Sequence, residues 1–332
     1  MSNTPSPVRP LNVGNVVSAG LVLYRSNLKQ YFGIALRANL WALPAALAFL
    51  SLYFSGLIQF FNSVRAPIDS NPAALQSLEE SGLGPVLELV ERFSSFAPIL
   101  NPILFVVSLY CTAKYLANSA LISRLAYQEL VNQPESIGDA SPKVLPRMWA
   151  YLRVGLEIGL RLFLLYILLA IAGAIVIPFL ILLLGGTRSA SPLVFLLVFV
   201  LIIAIVYVMG WFYSRWLISE VPLAVESGLG SMQSVKRSWD LTSAAVGRVL
   251  MIVFVAFLVT IPIQVITGYL PSLLLNVVKE NAAAFWLVYL INLGISLIGG
   301  VLILPFWQSI KAVMYYDLRS RREGIDLQLR DR

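Results

Sequence analysis

The chain has 332 residues, 58% of them hydrophobic and 12% charged, with a net charge of +7, one cysteine and no histidine. A soluble domain carries roughly 45–50% apolar and about 25% charged residues, so a mean hydropathy of +0.81 places this chain in the membrane class. The missing histidine excludes Ser-His-Asp and Cys-His nucleophiles and His-ligated metal or haem, and Cys111 alone cannot form an intrachain disulfide.

Residues 1–11, rich in Pro, Ser and Asn, read as a disordered N-terminus. No apolar core with a small-residue cleavage site follows, so the first span is expected to stay as an anchor. Residues 12–30 read as an interfacial amphipathic helix, with Val13, Val16, Val17, Leu21, Tyr24 and Leu28 on one face. Asn12 suits its N-cap, and Arg25 and Lys29 suit its C-terminal end.

Six apolar runs of spanning length follow, at about 34–61, 97–122, 156–184, 192–214, 249–275 and 283–310. Pro44, Pro178 and Pro262 fall inside the first, third and fifth. In the acidic connection 62–96, Val86, Leu87, Val90 and Phe93 suggest a short amphipathic helix. In the basic connection 124–154, Ser141-Pro142 resembles a helix start, with Val144, Leu145, Met148, Trp149 and Leu152 on its apolar face. Glu157 and Arg161 are spaced for a helical ion pair, and Gly155 and Gly159 form a GxxxG that permits a close helix contact. In the central polar stretch 215–248, Leu229, Met232, Val235 and Trp239 form the apolar edge of another short helix, and Lys236 and Arg237 lie off it.

These features predict an all-α, polytopic membrane bundle of six spans. A single membrane domain covers 12–318, followed by a cytoplasmic tail at 319–332. Nineteen of the 24 basic residues fall on the N-terminal side of the spans and four on the other, with Lys114 inside the second span. That bias predicts cytoplasmic termini. A threefold parallel repeat is also legible: Gly14, Gly138 and Gly230 each lead through an amphipathic stretch to aromatic and basic residues, then to a hairpin of spans. Membrane proteins place aromatic and basic residues at interfaces without any repeat, and that reading stays open.

Three segments resemble a known family: LNVGNVVSAGLVLYRSNLKQYFG (11–33), VPLAVESGLGSMQSVKRSWDLT (221–242) and YYDLRSRREGIDL (315–327). They are similar to a bacterial integral-membrane family named for the membrane domain attached to some glycerophosphoryl diester phosphodiesterases. The resemblance implies a membrane fold and a cell (inner) membrane location. It does not imply the diesterase reaction, which belongs to a separate domain using histidines and metal-binding carboxylates.

Candidate lipid- or partner-binding residues are Lys114, Lys236, Arg237, Trp239, Arg319, Arg321 and Arg322. Lys114 is a cation inside a span, read either as satisfied by local carbonyls or water, or as a contact for an anionic lipid or substrate. Its side chain is expected to point toward its helix N-terminus. Lys236, Arg237 and Trp239 read as a basic interfacial patch. The 315–323 stretch reads either as a solvated helix end or as one docked on the loops, with Tyr315 and Tyr316 at the interface. Gln264, Thr267, Asn292 and Ser296 read as interhelical hydrogen-bonding groups or a polar pathway. Gly138-Asp139 is not a GxGD signature, and no carboxylate pair lies inside a span. The expected protein is therefore not an enzyme, has no catalytic residues, cofactor, metal or nucleic-acid partner, and organises or binds lipids, anionic ones included, or a membrane or cytoplasmic protein partner. The alternative is a transporter or channel for a lipid-like or anionic solute.

Overall fold

The computed structural model describes residues 12–65, 84–183, 192–278 and 282–323. The fold is an all-α bundle. Helix α1 covers Val13–Ser26, α2 Leu28–Arg65 and α3 Gly84–Leu130. Helix α4 covers Ile137–Val144, and a 3₁₀ turn at Leu145–Arg147 joins it to α5, Met148–Leu183. Helix α6 covers Pro192–Trp216, α7 Glu220–Val225 and α8 Ser231–Thr242. Helix α9 covers Val246–Gln264, followed by a π-helical turn at Val265–Tyr269, α10 at Leu270–Val278 and α11 at Ala282–Glu323.

Six helical stretches are long and apolar enough to cross a membrane: Leu28–Phe49, Pro98–Leu130, Ile137–Leu182, Phe195–Val225, Val246–Leu275 and Leu287–Glu323. This is the architecture of a multi-pass membrane protein. The chain divides into two compact units, one of Arg37–Leu116 and the other of the remaining chain. In the first, Trp41 and Tyr110 meet edge to face at 5.8 Å, and Ser55 donates to Asn101 Oδ1 at 3.1 Å.

Short helices stand before the leading spans where the pattern placed them, as α1, α4 and α8, but their details differ from the sequence reading. Asn12 holds the N-cap position of α1 without a side-chain cap bond. The face that α1 buries is Val16, Val17, Gly20 and Leu23, not the broader stripe that includes Leu21 and Tyr24. Gly20 is there because α1 presses on α11: a Cβ at this position would lie 2.7 Å from Ile310 Cγ1 and 3.3 Å from Ile310 Cα.

Helix α4 starts at Ser136, not at Ser141. The Ser136 hydroxyl accepts the Asp139 N–H at 3.2 Å, a true N-cap, which leaves Pro142 inside the helix. Pro146 has no N–H to give to the Pro142 carbonyl, so the α-helix tightens into the 3₁₀ turn before α5 resumes. The helix expected around residues 86–93 is not a separate element, because α3 runs unbroken from Gly84 into the second span. At Gly159 of the predicted GxxxG a Cβ would meet nothing within 4 Å. The close approach in the last spans is at Gly299, whose Cβ would lie 2.8 Å from Thr267 Cβ.

Candidate functional site

The polar residues of the larger unit gather where α3, α4, α6, α7, α8 and α11 end or begin, and they pair with one another. The connection 221–230 is the hub. Gly228, with φ +82°, turns the chain between α7 and α8, a conformation that costs glycine little. Arg124 donates to the Ala224 carbonyl at 2.6 Å, and Arg147 to the Leu223 carbonyl at 2.7 Å and to that of Leu229. Glu226 accepts from Tyr315 and pairs with Arg237 at 3.3 Å. Glu220 pairs with Lys311 at 2.6 Å.

Arg124 also faces Glu135 at 2.7 Å, and Lys143 reaches the same carboxylate at 2.6 Å. The hydrogen bond from Arg124, with Lys143 assisting, holds the Glu135 carboxyl at about 2, far below the usual range, although burial pushes the other way. On α11, Asp317 pairs with Arg248 at 2.9 Å and with Arg321 at 3.1 Å, and Glu323 pairs with Arg319 at 2.8 Å and with Arg237.

These contacts narrow the sequence reading. Arg237 is not part of a free basic patch but is clamped between two glutamates. Arg319 is tied to Glu323 and to the Tyr127 hydroxyl, and Arg322 donates to the Ser243 hydroxyl. Tyr315 and Tyr316 are buried, so the end of α11 is docked, not solvated. Lys236 is exposed. The buried face of α8 is Ser234, Val235, Ser238, Leu241 and Thr242, with Met232 left outside. A hydroxyl-rich face is buried because it reaches carbonyls at the end of α6. Ser234 donates to Ser219, and Ser238 and Thr242 donate to Arg215, at 2.8 and 3.3 Å.

Beside this face the Arg215 side chain lies in an aromatic cradle, which the sequence reading missed. Its guanidinium carbon is 3.8 Å from the centre of the Trp239 ring and 5.4 Å from that of Trp211. Trp216 stacks 5.5 Å from Trp239, and Arg161 lies 5.5 Å over Trp216. Arg215 is only 5% exposed, yet among the described residues its guanidinium makes no ion pair or hydrogen bond. Trp216 Nε1 is a second buried donor without a partner. Trp211, one turn before Arg215 on α6, was the signal available in the sequence.

Lys114 lies in the smaller unit, 5.6 Å over the ring of Tyr110, one turn toward the helix N-terminus as expected. The polar groups of the last spans are bonded close by: Gln264 donates to Thr260 at 2.9 Å, Thr267 to the Ile263 carbonyl at 2.7 Å and Ser296 to the Thr267 carbonyl at 3.4 Å. Among the described residues no cluster of carboxylate and sulfur ligands suited to a metal occurs. No family model, curated protein or solved structure matches the chain.

Proposed function

We propose that this chain is a non-enzymatic protein of the bacterial inner membrane that binds anionic lipid headgroups at the α6–α8 junction. The observation that carries the reading is Arg215, a buried cation with two tryptophan rings over it, which makes no ion pair among the described residues and has Asp240 only as a more distant carboxylate. A buried unpaired charge costs several kcal/mol. The cation–π contacts offset on the order of 2 kcal/mol of that. A lipid phosphate would supply the rest, since the planar fork of an Arg side chain bonds phosphate through two N–H groups. Tryptophan belongs at headgroup depth, and Lys236, exposed on α8, adds a cation nearby. The bias of basic residues toward the side of both termini supports a cytoplasmic location for them. The similarity of 11–33, 221–242 and 315–327 to the diesterase-associated membrane family agrees with this location and assigns no reaction.

The test is native mass spectrometry of protein in lipid discs that contain phosphatidylglycerol and a zwitterionic lipid. Wild type is expected to retain phosphatidylglycerol, and Arg215→Gln, checked for fold by circular dichroism, to lose it. Equal retention by both removes the reading. Lys114→Leu in the same assay reports whether the lysine inside the second span is a further headgroup contact.

A further inference from the structure

A second site lies in the same unit, on different residues and with the opposite charge. A pocket of about 340 Å³ opens between the α1–α2 junction and the end of α3. Asn27, Gln30 and Tyr31 line one side, and Glu129, Asn132 and Glu135 the other.

Its two carboxylates are not equivalent. Glu135 is occupied, since Arg124 takes both oxygens and Lys143 one of them. Glu129 accepts the Asn27 amide and, among the described residues, makes no ion pair. The pocket therefore holds one uncompensated negative charge. Tyr31 is 1% exposed, and its hydroxyl has no hydrogen-bond partner. Buried polar groups without partners are rare, and this one belongs to a residue that lines the pocket beside Glu129.

We infer that this pocket binds a primary ammonium group, with Glu129 as counter-ion and the Tyr31 hydroxyl as a second acceptor. An R–NH₃⁺ group has three N–H donors and no acceptor. Glu129, Tyr31 and a side-chain carbonyl of Gln30 or Asn132 are the acceptors available to it. A quaternary ammonium has no N–H to give, and its usual partner is an aromatic cage, which this lining lacks. A divalent cation asks for several oxygen ligands, and Glu135 is already taken by its two cations. Pockets for small organic ligands start at roughly 300 Å³, so the space admits a carbon-bearing amine. Such an amine could arrive on a lipid headgroup or free in solution.

The experiment uses the full-length protein in detergent with ethanolamine as the probe, followed by calorimetry, with tetramethylammonium as control. In a second arm the protein is placed in discs of phosphatidylethanolamine or of phosphatidylglycerol, and bound lipid is read by native mass spectrometry. Ethanolamine is expected to bind saturably and tetramethylammonium not to bind. Glu129→Gln should abolish binding. Tyr31→Phe, which removes a buried unpaired hydroxyl and so keeps the fold, should weaken it about tenfold. Binding of free ethanolamine identifies a soluble amine as sufficient, and selective retention of phosphatidylethanolamine alone identifies a headgroup. Binding of neither, or binding that both variants leave unchanged, overturns the proposal. Loss of phosphatidylglycerol in Arg215→Gln is a separate readout, so the two sites stand or fall independently.

Discussion

The segment formed by α6 and α7 contrasts with itself. From Phe195 to Tyr213 it presents large apolar side chains outward, and none of its most apolar window is buried inside the protein. From Ser214 onward, through Arg215, Ser219 and on to Ala224, nearly every residue is buried, polar ones included. In water the apolar stretch would be the core. In lipid the exposed apolar surface costs nothing, and the tertiary organisation moves to the ends of the spans, where polar groups satisfy one another. The ends, not the spans, hold this unit in one arrangement.

The largest effect should come from cutting that polar belt. Arg124→Leu leaves Glu135 short of its main partner and the Ala224 carbonyl without its donor. Losing the charge-assisted bonds to half-buried Glu135, which keeps Lys143, and to the buried Ala224 carbonyl costs about 3 kcal/mol together, while Phe199→Ala on the exposed face should stay within ~0.5 kcal/mol. Thermal unfolding in detergent measures both, and equal losses would mean that the belt does not carry the stability.

Next is the contact between α1 and α11. Gly20→Ala places a methyl 2.7 Å from Ile310 Cγ1, with the Ile310 backbone just behind. Overpacking of this kind costs on the order of 1–3 kcal/mol. A neutral result in the same assay would show α1 free to move away from α11, as an interfacial helix lying only on the membrane would be.

The Glu135 carboxyl gives the belt a pH signature. Its folded value of about 2 lies below the usual 4.5. Its contribution is therefore fully present above 4.5 and is lost as pH falls from there toward 2. Wild type should lose melting temperature over that window, by less than Arg124→Leu loses at neutral pH, and Glu135→Gln should lose less. Parallel acid loss in both proteins would assign it to other carboxylates.

How far the sequence could be read follows the same division. The spans were legible because an apolar run is a local signal, and the Glu157–Arg161 pair because one helix holds both partners. The belt was not. Arg237 meets Glu323, and Arg147 meets the Leu223 carbonyl, across separations that no local periodicity reports. Amphipathic counting also assumes that a buried face is apolar, so it selected Met232 and passed over Ser234, Ser238 and Thr242, whose hydroxyls find carbonyls. Arg215 reads only as a charge near the interface, since no local periodicity says that Trp239 of α8 lies over it.

The smallest effect separates a motif from a contact. Gly155 and Gly159 carry the recognised small-residue spacing, yet the space around Gly159 is open, while the close contacts are at Gly20 and Gly299, which carry no motif. Glycine inside a helix gives up ~0.5–1 kcal/mol relative to alanine. Gly159→Ala should therefore be neutral or stabilising by about that amount, with the oligomeric state unchanged by light scattering. A destabilised protein, or a shift from dimer to monomer, would mean that a helix of a second copy packs on this face, and the spacing would then be a contact between chains and not within one.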